Sequence, residues 1–101
     1  MKAIRFHEYG GPEVLRFEEA PNPQAGPGQL LIRVHAAGVN PVDWKLREGR
    51  LQGAVDLTLP IIPGGDLAGV VEAVGSGVEG FKTGDDVYGM VYIGKAAYAE
   101  L

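Results

Sequence analysis

Short apolar stretches, broken by glycine and proline, recur along this chain and predict a series of short strands. The clearest begins at Leu30, where apolar residues occupy every second position up to Ala36, while Arg33 and His35 fall on the other face. This period-two pattern is typical of a half-buried strand. Further strands are predicted over residues 2–6, 14–18, 67–74, 86–92 and 96–101.

The stretch 67–74 is almost continuously apolar, which is typical of a strand buried on both faces. Gly69 within it indicates a bend or a close approach of another backbone. Between the strands, residues 20–29 contain three prolines and two glycines and predict an extended loop. Residues 51–63 are apolar without a clear period and predict a loop that packs on the body of the domain.

One short helix is expected near residues 41–48. Asn40 is a favoured N-cap residue, Pro41 is favoured at the first helical position, and Asp43 is placed to accept from free backbone N–H groups. Asp43 and Arg47 have the spacing of a helical ion pair, and Gly49 is placed to end the helix. Many short strands with one helix predict an all-β (mainly β) barrel or sandwich.

Composition and charge serve mainly to exclude classes of partner and site. The chain has 101 residues, 46% hydrophobic and 22% charged, which indicates one soluble globular domain. Its net charge is −4 without a basic stripe, so no nucleic-acid partner is expected. Neither a membrane-spanning stretch nor an export signal is found, and a cytoplasmic location follows by default. The absence of cysteine excludes disulfides, a thiolate nucleophile and thiolate metal sites.

Residues 75–80 match the glycine string of dinucleotide-binding loops, G-x-G-x-x-G. In such loops the third glycine opens a helix that holds the pyrophosphate. Here Gly80 is followed by Phe-Lys-Thr-Gly-Asp-Asp, which does not predict a helix. We therefore interpret the string as a hairpin turn.

Few other residues suggest chemistry. His7 and His35 have no second ligand at a metal-binding spacing and are expected to be ordinary surface residues. Asp85 and Asp86 are neighbours in a strand start and would point to opposite faces.

The start of the predicted helix is more informative, because it gathers an amide, a carboxylate, an aromatic ring and an amine in Asn40, Asp43, Trp44 and Lys45. The residues alone leave two interpretations open, a capped and packed helix or a binding site.

Several blocks in a fixed order carry a family resemblance. They are Met-Lys-Ala-Ile at 1–4, Tyr-Gly-Gly-Pro-Glu-Val-Leu at 9–15, Ala-Gly-Val-Asn-Pro-Val-Asp at 37–43, Pro-Gly-Gly-Asp-Leu-Ala-Gly-Val-Val at 63–71, and residues 78–89. In these blocks the chain resembles the N-terminal GroES-like catalytic domain of the medium-chain dehydrogenase/reductase superfamily, in its zinc-free quinone oxidoreductase branch. The resemblance implies a partly open GroES-like barrel.

The branch is indicated by two replaced ligands. Zinc alcohol dehydrogenases hold the catalytic metal with a cysteine near the position of Asn40 and a histidine in a Gly-His-Glu motif. This chain has Gly64, Gly65 and Asp66 in place of that motif. Because a catalytic zinc takes about three protein ligands, we expect no metal.

The resemblance also implies reduction of a quinone, an enone or a similar acceptor by hydride from NADPH. Asn40 would be the catalytic residue and would also contact the cofactor, Asp43 and Lys45 would line the cofactor side, and Trp44 would contact the substrate. A tyrosine found in many relatives near Lys45 or Leu51 is missing here, so no proton donor is assigned.

The family's Rossmann cofactor domain is expected to follow this segment, and the chain reaches only Leu101. Residues 1–101 are therefore expected to be one truncated GroES-like domain, inactive alone, that does not bind NADPH tightly. Open barrel edges would allow pairing between chains. The alternative functions are a non-enzymatic GroES-like oligomer or designed barrel, and a small-molecule binding module that uses Trp44.

Overall fold

The computed structural model describes residues 1–91 and 97–101. Within them the chain is mainly β, as predicted, with one short helix. The elements are β1 (Lys2–Phe6), β2 (Leu15–Glu19), β3 (Leu30–Ala37), α1 (Pro41–Arg47), β4 (Asp66–Val74) and β5 (Asp86–Met90), with a 3₁₀ turn at Pro12–Val14. No helix in the described part of the chain is long and apolar enough to cross a membrane.

The strands form two antiparallel sheets. Strands β1 and β2 form a two-stranded ribbon, and β3, β4 and β5 form a three-stranded sheet in that order. The described strands do not close into a barrel, which agrees with the expected partly open GroES-like fold. Among the strands of the described residues, β5 lies at an edge of its sheet.

The C-terminal segment 97–101 joins the two sheets. The Ile4 N–H donates to the Tyr98 carbonyl at 2.8 Å, and the Glu100 N–H donates to the Lys2 carbonyl at 3.1 Å, both on β1. On the other side, the Val34 N–H of β3 donates to the Glu100 carbonyl at 2.9 Å. These few residues therefore hold the ribbon against the larger sheet.

Several predicted strand limits are wrong. Among residues 97–101 only Ala99 forms a β-bridge, to Ala3, because the segment divides its hydrogen bonds between two sheets. The strand predicted over 86–92 ends at Met90. Residue 96 and residue 92 lie outside the described residues. Val14 belongs to the 3₁₀ turn, because Pro12 fixes a helical φ at its start.

Burial along β3 and β4 also departs from the pattern. Strand β3 is half-buried, as expected, but Ala36 is exposed, because register shifts interrupt the pairing of β3 with β4. Strand β4 is not buried on both faces: only Gly69 and Val71 are buried. The close approach predicted at Gly69 is confirmed, since a Cβ atom there would lie 2.1 Å from the Arg33 carbonyl oxygen.

The core lies between β1, α1 and the loop 51–63. Phe6, Val14, Leu46 and Ile61 form a buried cluster, and Phe6 is fully buried. Burying such a side chain stabilises the fold by about 2 to 3 kcal/mol. Partly buried residues pack around the cluster, and three of them confirm that the loop 51–63 packs on the body of the domain: Leu51, Leu57 and Leu59.

The glycine string 75–80 lies in the connection between antiparallel strands β4 and β5, and no helix follows it within residues 81–91 and 97–101. Gly77 and Gly80 have positive φ values of 80° and 85°, which glycine adopts without strain. The hairpin interpretation is therefore confirmed.

Candidate functional site

The helix start lies where it was predicted. Asn40 is the N-cap of α1 with an extended backbone (φ −128°, ψ 158°), and Pro41 occupies the first turn. At the other end Gly49 has a φ of 84° and its N–H donates to the Leu46 carbonyl. The local capping signals thus place the side chains of α1 as expected.

Asn40 is tied to the start of β4 by its side chain. Its Nδ2 donates to Asp66 Oδ2 at 2.7 Å, and the Gly38 N–H donates to the Asp66 carbonyl at 3.0 Å. The amide group therefore sits where the end of β3 meets the beginning of β4. Sequence reasoning did not predict this contact, because Asp66 lies 26 residues away.

Asp43 is the buried centre of the site. Its Oδ2 accepts from the Asn40 backbone N–H at 2.9 Å, as expected for the third helical position. Its Oδ1 accepts from the Gly64 N–H at 3.2 Å, and Oδ2 also accepts from the Tyr98 hydroxyl at 2.9 Å. The side chain is only 7% exposed, so the carboxylate serves contacts within the fold.

The ion pair expected between Asp43 and Arg47 is not among those of the described residues. Arg47 Nε instead donates to the Gly10 carbonyl at 3.1 Å, and its guanidinium lies 3.7 Å from Glu48. The correct helical spacing is overridden because Asp43 is satisfied by donors from other parts of the chain.

Tyr98 was missing from the predicted site. Burial, together with the hydrogen bond to Asp43, raises its pKa to about 12. The backbone N–H groups of Ala97 and Tyr98 both donate to the Pro63 carbonyl, and the Tyr98 ring lies against Gly64, where a Cβ atom would come within 2.6 Å. No local pattern predicts this contact, because only the fold brings residue 98 to α1.

Trp44 and Lys45 lie on the solvent side of α1. Trp44 is 37% exposed. The Lys45 Nζ atom is 5.5 Å from the Trp44 ring centroid, and the Arg50 guanidinium carbon is 5.1 Å from it. Arg50 was not predicted here; the left-handed turn at Gly49 reverses the chain, and the Arg50 N–H then donates to the Lys45 carbonyl at 3.0 Å.

One cavity borders α1, and a second lies along the three-stranded sheet. A small one of about 20 Å³ lies beneath α1 and is lined by Val42, Asp43 and Ile62, among others. A larger, open trough of about 610 Å³ is lined by apolar residues of the three-stranded sheet, such as Ile32 and Leu67, and by Leu101. None of the four predicted site residues lines the trough, so the chemistry assigned to α1 is separate from it.

The remaining candidate residues lie on the surface or contact other residues of the fold. His7 and His35 are exposed, as predicted. His7 contacts the Glu18 carboxylate, and this imidazole, with the Arg5 guanidinium, holds the pKa of Glu18 below its ordinary value. Asp85 accepts from the Lys82 N–H at 3.0 Å and so stabilises a turn.

Residues 1–91 and 97–101 contain no group of three side chains suited to hold a metal ion.

Known proteins resemble this chain over most of its length. Residues 26–100 match the family model of the alcohol dehydrogenase GroES-like domain. Quinone oxidoreductase of Rattus norvegicus is 48% identical over 91 residues, which cover 87% of this chain and 26% of the rat protein. The chloroplastic NADPH-dependent alkenal/one oxidoreductase of Arabidopsis thaliana is 48% identical over 92 residues, which cover 90% of this chain and 24% of that protein.

The fold is shared with solved structures. A mycobacterial protein solved in complex with NADPH superimposes with a TM-score of 0.85 at 42% identity, over 99% of this chain and 30% of that one. The chain spans about a quarter of the length of the two sequence relatives.

Proposed function

We propose, since the chain belongs to the family of alcohol dehydrogenase GroES-like domains, that it forms the catalytic-domain portion of a zinc-independent, NADPH-dependent oxidoreductase that reduces quinones or enones. The observation that carries this proposal is the Asn40 amide held by Asp66 at the start of α1, one turn from the exposed ring of Trp44. A fixed polar group one helical turn from an exposed aromatic ring suits a planar acceptor. The names of the relatives support the same class of substrate.

The described residues fit one end of the cofactor. NADPH, when bound, supplies the hydride. Asn40, half-buried, and the exposed Lys45 offer polar atoms for the nicotinamide end. The pyrophosphate end lacks a matching site in the described part of the chain, because the glycine string 75–80 opens no helix. We therefore expect weak NADPH binding and no turnover by these residues alone, with the cofactor domain supplied outside them.

Each predicted site residue then receives a role. Asn40 orients the nicotinamide or the acceptor, which must approach within about 3 to 3.5 Å for transfer. Trp44 stacks on the acceptor, and Lys45 borders both molecules. Asp43, because it is buried and serves donors within the fold, acts as a positioning residue, and the cofactor contact that the resemblance implies for it stays a prediction.

Zinc-independence rests on the side chains at the positions of the family's metal ligands. Asn40 presents an amide there, whose N–H is directed at Asp66, and Gly65 has no side chain. A catalytic zinc needs about three protein ligands. These two positions supply neither an imidazole nor a thiolate.

The cofactor half of the proposal is tested by titrating the 101-residue chain with NADPH in a calorimeter. We expect no saturation below about millimolar NADPH, a level at which binding is only about 4 kcal/mol favourable. Micromolar binding or any turnover with a quinone would overturn the expected incapacity.

The acceptor half is tested by the fluorescence of Trp44, the only tryptophan. Neutral 1,4-naphthoquinone should quench it saturably, and Asn40→Ala should weaken that binding. The matched control is Lys82→Met, which changes an exposed residue of the β4–β5 connection. Purely linear, collisional quenching would contradict the assignment of Trp44.

Pairing between chains is proposed at the open edge of the larger sheet. Tyr88 and Met90 on β5 are 91% and 84% exposed, and an exposed apolar edge strand invites pairing. Light scattering should show a mass that rises with concentration, and Tyr88→Lys should abolish the rise. A constant monomer mass for the unchanged chain would disprove this pairing.

The cytoplasmic location stays a prediction.

A further inference from the structure

Two cations lie over the exposed aromatic ring of α1. Lys45 Nζ and the Arg50 guanidinium are 5.5 and 5.1 Å from the Trp44 ring centroid. Both basic residues are exposed. Cations over a ring at this distance are attracted by its face, so a planar ligand that stacks on Trp44 would meet both of them there.

The segment 44–50 is positively charged, whereas the whole chain is negatively charged. Residues 44–50 contain three basic residues and one acidic residue, Glu48, whereas the chain carries −4. Glu48 contacts Arg50 at 3.2 Å and Arg47 at 3.7 Å. Lys45 is in none of the ion pairs formed among residues 1–91 and 97–101. The segment thus retains a positive charge next to Trp44.

This combination is suited to a particular ligand chemistry. The indole ring offers a flat apolar surface to a planar ring. A guanidinium binds carboxylate or sulfonate oxygens through its planar fork, and an ammonium acts as a mobile point charge. A planar acceptor with an acidic substituent at its rim would satisfy the ring and the cations together.

We infer that the Trp44, Lys45 and Arg50 surface selects acceptors that carry a negative charge beside the planar ring, over neutral acceptors of the same shape. The inference rests on the proposed function, because it takes Trp44 to be the acceptor wall. It adds a substrate class, planar organic acids, that a neutral quinone does not represent.

The test compares two probes on the unchanged 101-residue chain, followed by the fluorescence of Trp44 and corrected for probe absorption. The probes are 1,4-naphthoquinone and 1,4-naphthoquinone-2-sulfonate, which share a ring system and differ by one charge. In low salt we expect the sulfonate to bind about fivefold tighter, the size of effect that exposed ion pairs supply. At 1 M salt, where the Debye length is about 3 Å, the preference should disappear.

Arg50→Met should lower the preference while neutral naphthoquinone binds as before, and the further substitution Lys45→Met should bring the two probes to equal affinity. Lys82→Met, which removes one charge elsewhere on the surface, should keep the preference. Equal affinity of the unchanged chain for both probes would overturn this inference and leave the proposed function intact. Failure of both probes to saturate would overturn both.

Discussion

The Tyr98 hydroxyl donates a 2.9 Å hydrogen bond to Asp43 Oδ2 across 55 residues of sequence. The same carboxylate accepts from the backbone N–H groups of Asn40 and Gly64. One buried side chain therefore connects the start of α1, the loop before β4 and the C-terminal segment. The position of Asn40 depends on this connection.

The Tyr98→Phe variant should be less stable than the unchanged chain at neutral pH. Its free energy of unfolding should also fall less as the pH rises into the alkaline range. The pKa of Tyr98 is raised to about 12 in the folded chain, whereas an unfolded tyrosine ionises near about 10. Its stabilising contribution is thus complete below about pH 10 and is lost as the pH rises toward about 12. With solvent screening, the loss is on the order of 1 to 2 kcal/mol.

The measurement is urea unfolding of both chains from pH 8 to 11.5, taken as a difference so that other titrating groups cancel. Tyr88→Phe, measured at a protein concentration at which the chain is monomeric, is the matched control, since Tyr88 is 91% exposed. If the difference between Tyr98→Phe and the unchanged chain does not depend on pH, the hydrogen bond to Asp43 does not govern the ionisation.

Asp43→Asn should destabilise the fold by about 2 to 3 kcal/mol, because the network loses a negative charge and one acceptor oxygen, and the new amide N–H group faces other donors. Denaturant midpoints at pH 7 measure the effect. The exposed Asp86 supplies the control Asp86→Asn, which should stay within about 0.5 kcal/mol. Equal midpoints for the two variants would be inconsistent with the buried role of Asp43.

Asn40→Asp should place two carboxylates together, since Asn40 Nδ2 now lies 2.7 Å from Asp66 Oδ2. We expect a loss of about 1 to 2 kcal/mol at pH 7 that shrinks as the pH falls toward 4, where the pair shares a proton. Unfolding at the two pH values tests this. Gln52→Glu adds the same charge at an exposed site and should show no such recovery.

Gly69→Ala should cost at least about 2 kcal/mol. A Cβ atom at Gly69 would lie 2.1 Å from the Arg33 carbonyl oxygen, which belongs to the backbone and cannot turn away. Gly89→Ala on β5 is the control, because a Cβ atom there meets nothing within 4 Å. Thermal unfolding that is unchanged for Gly69→Ala would refute the pairing of β3 with β4 at this register.

Predictions that depend on neighbouring residues were the most accurate. The start of α1 at Asn40 and Pro41 follows from capping and from the fixed φ of proline, and both act within a few residues. The hairpin interpretation of 75–80 holds for a similar reason, since glycine is favoured in turns by a positive φ, which is a local property of the backbone. The separate placement of His7 and His35 on the surface also followed from spacing alone.

Predictions that depend on distant partners were less accurate. The strand expected over 96–101 is limited, among residues 97–101, to a bridge at Ala99, because its partners belong to two different sheets. The Asp43 and Arg47 pair has correct helical spacing, yet Asp43 is occupied by Gly64 and Tyr98. Neither Gly64 nor Tyr98 can be inferred from the helical spacing of Asp43 and Arg47.

The sequence by itself determined the mainly β character, the helix start and the family resemblance, since each resides in local patterns or in ordered blocks of residues. Only the tertiary structure decided what surrounds those residues. It brought Asp66 to Asn40, Tyr98 to Asp43 and Arg50 to Trp44. The physical reason is that a hydrogen bond or a cation contact depends on distance in space, and the order of residues along a chain specifies that distance only within a turn or two.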